Sequence, residues 1–483
     1  MSTTTYATTE TAHRPAPAPA FAWGTLLVLL AGVFITTLDV FIVNVAIPSA
    51  QADLGASTAA IQWVVAGFGL AVGAGLITGG RLGDIYGRRR VYGIGIALFT
   101  LASAACALAG SAEFLIAARF LQGGAMALLM PQVLGIITVA FSGAAQVKAF
   151  GAYGLAMGFA GVFGQLIGGA LVQADLFGLG WRAIFWINVP VGALTLALLP
   201  RLVPESRGEG GRRLDTLGMV LVTAGLVAVV LPLIQGPGQD WPLWTWLSLA
   251  AAPLLLGVFL VQQRRLAGRG GAPLVDPAMF RERAFTVGLG IALVYALAMG
   301  SFFLVLALYL QQGHGMSALD SGLLFIALGA GYFLASSASA KVAQRLGRQV
   351  IAVGAVAQAA GYGLLALTAD GIGATGPVGL LIPGMVLSGV GMGLALVPMS
   401  GIVLAGVGAR YAGSAGGVLA TAQQVGGALG VAVVGIVFYG VLGDRPLAAD
   451  FGPAFTWGLG TLIGCCLATA ALVQLLPRPA RTS

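Results

Sequence analysis

The stretch Gly79–Val91 reads GGRLGDIYGRRRV and holds Asp84 with four arginines, Arg81, Arg88, Arg89 and Arg90. An apolar segment long enough to cross a bilayer runs into it, and another leaves it at once. A turn of that charge density between two such segments belongs on the positive, cytoplasmic side of a membrane, so it sets the direction of every span before and after it.

Composition agrees. Of the 483 residues, 58% are hydrophobic and 8% are charged, where a soluble domain carries roughly 25% charged residues. The bilayer is therefore the solvent. The 75 glycines suit close-packed membrane helices. A net charge of +8 would suggest nucleic acid in a soluble protein, but here the bases lie between spans, where orientation accounts for them. Cys106, Cys465 and Cys466 fall in apolar runs and read as small packing residues. His13 lies in a tail and His314 in a loop. No metal-ligand cluster, phosphate-binding loop or nucleophile triad is visible. The chain is therefore expected to be no enzyme and to need no metal or cofactor. Its richness in Ala, Gly and Arg, with only Lys148 and Lys341, points to a bacterium and hence to the bacterial cytoplasmic membrane.

A spanning helix needs about 20 mostly apolar residues. Fourteen such runs lie near 22–46, 58–80, 91–110, 112–135, 150–172, 182–200, 214–235, 243–262, 285–310, 319–340, 349–369, 377–405, 412–440 and 453–476. With the N-terminus inside, 21 of the 24 lysines and arginines fall on even-numbered turns or in the tails. That asymmetry supports fourteen spans and two cytoplasmic termini. AKVAQRLGRQ, Ala340–Gln349, repeats GRLGDIYGRR, Gly80–Arg89, each after the second helix of a six-helix half. The expected architecture is all-α, two pseudo-symmetric six-helix bundles at 21–200 and 284–477, with two extra helices and their linkers at 201–283. Residues 1–20, proline-rich and polar, are expected to be a disordered cytoplasmic tail without a cleaved leader, and 478–483 a second tail.

Charge inside a span is costly and usually functional. Asp39 in helix 1 and Arg119 in helix 4 are the deep acid and base. Each lies about seven residues, roughly 10 Å, from the outer end of its apolar run. Gln122 follows Arg119 on the same helix face. Such a pair either carries a proton, because its protonation answers to both burial and the neighbouring charge, or is a static ion pair that fixes packing. Glu113 reads as a solvated helix-end charge, Asp320 as part of a helix cap, and Asp53, Asp175 and Asp240 as solvated acids in outer turns. Asp84 reads as a latch that works with Gly80, Gly87, Arg88 and Arg89, or as a turn that only sets topology. In helix 5, Gly164, Gly168 and Gly169 would let two backbones approach. Asn44, Gln122, Gln165, Gln423 and Gln424 are candidates for a central substrate cavity. For the last three glutamines the alternative is hydrogen-bond glue between helices.

Together these segments resemble the fourteen-helix drug:proton antiporter family of the major facilitator superfamily. The basic turn is similar to that superfamily's helix 2–3 loop at Gly80, Leu82, Asp84, Gly87, Arg88 and Arg89. Leu38, Asp39, Ile42, Val43, Asn44, Val45, Ala46 and Pro48 fit its helix 1 motif, and Arg119, Gln122 and Gly123 its helix 4 motif. WRAIFWINVPVG, Trp181–Gly192, resembles its helix 6 entrance, and Gly164, Gln165, Gly168 and Gly169 its helix 5 antiporter motif, with Gln165 in place of proline. Ile85 stands where the family has a base, and the second half has Val386 where Arg119 would fall by repeat. The resemblance implies a monomeric exporter, in contact with membrane lipids, that trades protons for small amphipathic drugs, antiseptics, antibiotics or host metabolites; the alternatives are a proton symporter that imports a small metabolite and a lipid-handling or sensory membrane protein without coupled transport. It implies that Asp39 and Arg119 couple the proton and that the basic turn gates the cytoplasmic side.

Overall fold

The computed structural model describes residues 19–207, 214–271, 273–404, 412–443 and 446–477. The expected tail at 478–483, and that at 1–20 up to residue 18, lie outside the described residues. Among the described residues all regular structure is helical. The α-helices are α1 Pro19–Leu54, α2 Thr58–Tyr86, α3 Arg88–Ala107, α4 Ala112–Ala140, α5 Gly143–Ala174, α6 Ala183–Trp186, α7 Asn188–Leu202, α8 Thr216–Gln235, α9 Leu243–Gly268, α10 Arg283–Leu308, α11 Ala318–Leu346, α12 Gln349–Ile372, α13 Ile382–Leu404, α14 Ala412–Leu442 and α15 Phe451–Val473. Among the described residues fourteen segments are long and apolar enough to cross a membrane, with α6 and α7 sharing the sixth. Helices suit lipid because each satisfies its own backbone donors and acceptors.

Short connections with side-chain caps set the boundaries. Ser57, Ser111 and Ser317 accept from the backbone N–H of Ala60, Phe114 and Asp320, which opens α2, α4 and α11. Pro190 offers no N–H to the carbonyl of Trp186, so the sixth span breaks between α6 and α7.

Several helices outrun their apolar cores. α2 continues through Arg81, Asp84 and Ile85 to Tyr86, so the expected turn shrinks to Gly87, whose φ of 107° suits glycine. α1 continues to Leu54, which leaves Asp39 about 22 Å from that end rather than the expected 10 Å.

The helix pairings obey the sequence repeat. α2–α4 matches α11–α13, α3–α4 matches α12–α13, and α1–α5 matches α10–α14. Across the halves, α2 packs on α14 and α5 on α11, again a related pair. α8 lies against α2 and α14, and α9 packs chiefly on α8. The hairpin thus lies outside both bundles. An apolar groove of about 320 Å³ remains between α2, α4 and α8, lined by residues such as Ala74, Phe120 and Met219.

The halves meet closely at the end of the molecule opposite the Gly79–Val91 segment. There Gln311 Nε2 donates to the Val45 carbonyl at 2.9 Å and Gln312 Nε2 to Gln51 Oε1 at 3.5 Å. A Cβ on Gly169 would lie 2.3 Å from the Ala318 carbonyl oxygen. Towards the basic end α5 and α11 part: a Cβ on Gly158 would lie 3.5 Å from Phe333, whereas Gly154 and Gly151 face open space.

Candidate functional site

Asp39 is fully buried on α1 and is enclosed by side chains from three other spans. Its Oδ2 is paired with Arg119 Nη1 of α4. Its Oδ1 accepts from Gln122 Nε2 at 2.8 Å and from Asn188 Nδ2 at 3.0 Å. Ser103 Oγ of α3 accepts from the same two amides, at 2.8 Å and 3.3 Å. Arg119, 1% exposed, has anchors besides Asp39. Nη1 also donates to Gln122 Oε1 at 2.7 Å, Nε donates to the Val64 carbonyl at 3.1 Å, and the guanidinium carbon lies 4.2 Å from the centre of the Phe68 ring. Cys106 Sγ donates to Gln122 Oε1 at 3.6 Å.

Each member reaches the cage for a local reason. Gln122 is one turn beyond Arg119 on α4 and so shares its face. Ser103 and Cys106 are likewise three residues apart on α3. Asn188 is the first residue of α7, where the sixth span breaks, two residues before Pro190. A neutralised carboxyl would lose its attraction for Arg119, yet Arg119 would stay held by Gln122, Val64 and Phe68. The arrangement can take a proton without letting the base drift.

The structure brings Asp39, Arg119 and Gln122 together. Sequence reasoning missed Ser103 and Asn188. Asn188 lay within the motif quoted at the helix 6 entrance, but nothing in one chain says that this asparagine points at an acid 149 positions earlier. The remaining candidates lie elsewhere. Asn44 turns back on its own helix and donates to the carbonyls of Val40 and Phe41 at 3.2 Å. Gln165 is fully buried where α5 meets α11, and neither of its amide atoms has a partner among the described residues. Gln424 lies in the α2–α14 seam with its Cβ towards Gly73, and Gln423 is beside it, half-buried. Gly164 and Gly168 face α1 next to Phe41, Ile42 and Val45, and Gly169 faces α11. Glu113 is exposed, and Asp320 accepts from the Ser317 hydroxyl at 2.7 Å in the first turn of α11. Asp53 differs from expectation. Rather than being merely solvated, it accepts from Arg182 Nη1 at 2.7 Å and Trp181 Nε1 at 3.1 Å, because α1 projects far enough to meet the sixth span.

The basic segment is held from several sides. Asp84 Oδ1 accepts from Arg88 Nη2 at 2.9 Å and Nε at 3.3 Å, and Arg88 Nη1 donates to the Gly135 carbonyl of α4 at 3.1 Å. Gly80 packs beside Pro131. Gly87 brings no cap to α3, and Glu205, from the connector after α7, takes that place. Its Oε1 and Oε2 accept from the backbone of Arg89 and Arg90 at 3.0 Å and 3.3 Å. Arg89 Nη1 donates to the Val203 carbonyl, and the Arg88 N–H to that of Ser206. Arg81 Nη2 donates to the carbonyl of Pro273, in the connector after α9. Both connectors that flank the inserted hairpin are therefore tied to this segment.

Two repeated bundles that meet at one end and part between α5 and α11 at the other, one of them holding a buried acid–base pair, make a membrane transporter. The sequence model of the Major Facilitator Superfamily matches residues 29–431, and the chain belongs to that superfamily. It is 40% identical over 440 residues to a probable actinorhodin transporter of Streptomyces coelicolor, covering 90% of this chain and 75% of that protein. It is 35% identical to a tetracenomycin C resistance and export protein of Streptomyces glaucescens, covering 87% and 77%. Among solved structures, a bacterial homologue of the human lysosomal transporter Spinster, inward-facing and unoccupied, superposes with a TM-score of 0.68 at 17% identity, over 96% of this chain and all of that one. A D-xylose–proton symporter superposes with a TM-score of 0.66 at 15% identity, over 96% and 99%. At those identities the likeness is one of fold.

Proposed function

We propose that the protein is a proton-coupled antiporter of the bacterial cytoplasmic membrane. It exports small amphipathic or hydrophobic compounds, such as drugs, antiseptics, antibiotics or host metabolites, by alternating access. The observation that carries this reading is the sealed cage around Asp39. A lone acid in the membrane interior, paired with one base and surrounded by amides, suits reversible protonation. The export direction rests on the relatives, whose names state transport, resistance and export.

In this reading both termini and the basic segment face the cytoplasm, so the described state is closed outside and open inside. Substrate enters between the halves from the cytoplasm or the inner leaflet. Asp39 releases its proton to the inside, takes one from outside when the outer ends part, and the proton's inward flow drives export. Protonation cancels the charge that ties α1 to α4, so the pairing that helps hold the N-terminal bundle changes with each cycle. Asp84 and Arg88 act on the cytoplasmic side as part of the gate. Gln165, Gln423 and Gln424, on the helices that form the two seams, line the path that opens and closes, and Asn44 lies on α1 beside it. No cofactor takes part, the working unit is a monomer, and its partners are substrate, protons and membrane lipid.

The test is proton release from purified protein in detergent, wild type against Asp39→Asn, during titration with neutral antibiotics and lipophilic cations. Release on ligand addition by the wild type and none by the variant is the expected result. Ligand binding without release by either protein would overturn the coupling and point to an uncoupled carrier.

A further inference from the structure

The amides that cage Asp39 are not equivalent. Gln122 is locked: its Oε1 accepts from Arg119 and Cys106, both donors, so its Nε2 must face Asp39 and Ser103. Asn188 is not locked. Its Nδ2 donates to Asp39 Oδ1 and Ser103 Oγ, while its Oδ1 is buried without any partner among the described residues. Only the acceptor character of the carboxylate holds that amide in its present sense. Arg119 and Cys106 are the titratable groups facing the cage, and both present donors to Gln122.

A protonated Asp39 changes the requirement. Its O–H needs an acceptor, and a buried hydroxyl left without one carries a desolvation cost. The N–H groups of Gln122 and Arg119 cannot accept. Ser103 Oγ already receives two N–H groups. The geometry points to Asn188 as the positioning residue that serves both protonation states of Asp39. With the carboxylate it donates through Nδ2. With the neutral acid its amide turns over, and Oδ1 accepts the new O–H while becoming an acceptor for the Ser103 hydroxyl as well. The proton stays on Asp39 throughout, and Asn188 neither gains nor loses one. This inference rests on Asp39 being the proton carrier.

The chain has two asparagines, Asn44 and Asn188, which makes the amide directly observable. The protein is made with asparagine carrying ¹³C in its side-chain carbonyl and followed by infrared difference spectroscopy between alkaline and acid pH. Protonation of Asp39 should give a neutral carboxyl band that is absent from Asp39→Asn. With it, one labelled amide band should move to lower frequency, as a carbonyl without a partner acquires an O–H donor. That band should be missing from labelled Asn188→Gln protein. Asn188→Leu should also slow substrate-driven proton release about tenfold, the equivalent of one hydrogen bond, while ligand binding persists. A neutral Asp39 band with both labelled amide bands unmoved would overturn the role of Asn188 and leave the proton carrier standing. Absence of any Asp39 band would overturn both.

Discussion

Asp39 and Arg119 are unequal partners. Asp39 has Arg119 as its charge partner, whereas Arg119 also holds Gln122 Oε1, the Val64 carbonyl and the Phe68 ring. Removing the base leaves an acid that can shed its charge by taking a proton, so the loss is that of its hydrogen bonds, about 1–3 kcal/mol. Removing the acid's charge leaves a guanidinium that cannot deprotonate, buried without a counter-charge, a fault of about 3–5 kcal/mol that its neutral partners only partly offset. Asp39→Asn should therefore unfold at a temperature at least as low as Arg119→Leu, although both lose coupled transport. Thermal unfolding of the two purified variants in one detergent decides this. A clearly lower temperature for Arg119→Leu would mean that Asp39 keeps its charge without its base. The pair and its glutamine were legible from the sequence because deep charge is rare in a span and because the i, i+3 spacing puts two residues on one helix face. Asn188 and Ser103 were not, because an uncharged residue in an apolar run gives no signal until the fold shows what it touches.

Among the elements, the second and third spans are joined by Gly87 alone, and α3 is capped by a residue from the far end of the bundle. A Cβ on Gly87 would meet the Glu205 carboxyl at 2.7 Å and would sit in a conformation that disfavours L residues. Gly87→Ala should cost about 1–3 kcal/mol, and Glu205→Ala about 1 kcal/mol as a lost cap. Since the clash and the cap share one carboxylate, the double variant should lose less than the sum of the singles. A thermal-shift cycle over the four proteins measures it, and strict additivity would count against Glu205 as the cap. The sequence marked this segment as a turn because its charges end the apolar run. Packing on α4, whose Gln132 Nε2 donates to the Gly79 carbonyl, carried α2 on through those charges to Tyr86, against the poor helix propensity of Gly79, Gly80 and Gly83. The same limit appears in α1, where an apolar window saw the membrane core but not the eight further residues that reach Leu54.

For the whole molecule, the two halves touch at one end through small residues and amides, and the proposed alternating access requires that end to open. In a background without the native cysteines, Gln51→Cys with Gln312→Cys, bridged by a short bifunctional reagent, should hold it shut and cut transport by tenfold or more, about 1.4 kcal/mol of barrier. Cleaving the bridge should restore the rate. Full transport with the bridge intact would mean that these ends need not separate. The Gly169–Ala318 contact belongs to the same closure, since a backbone approach that close leaves no room for relative sliding while the end is shut.

Unaided, the sequence determined the solvent, the number of spans, the two-fold repeat and the one acid–base pair inside the membrane. Each follows from a local property: apolar length, arginine placement, recurrence of a motif, or a charge where charge is costly. The tertiary structure alone decided what surrounds Asp39, which amide in that cage has an oxygen without a partner, where the inserted hairpin lies and which end of the molecule is closed. Those depend on contacts between residues more than a hundred positions apart. Packing of uncharged side chains brings them together, and no single segment encodes that on its own.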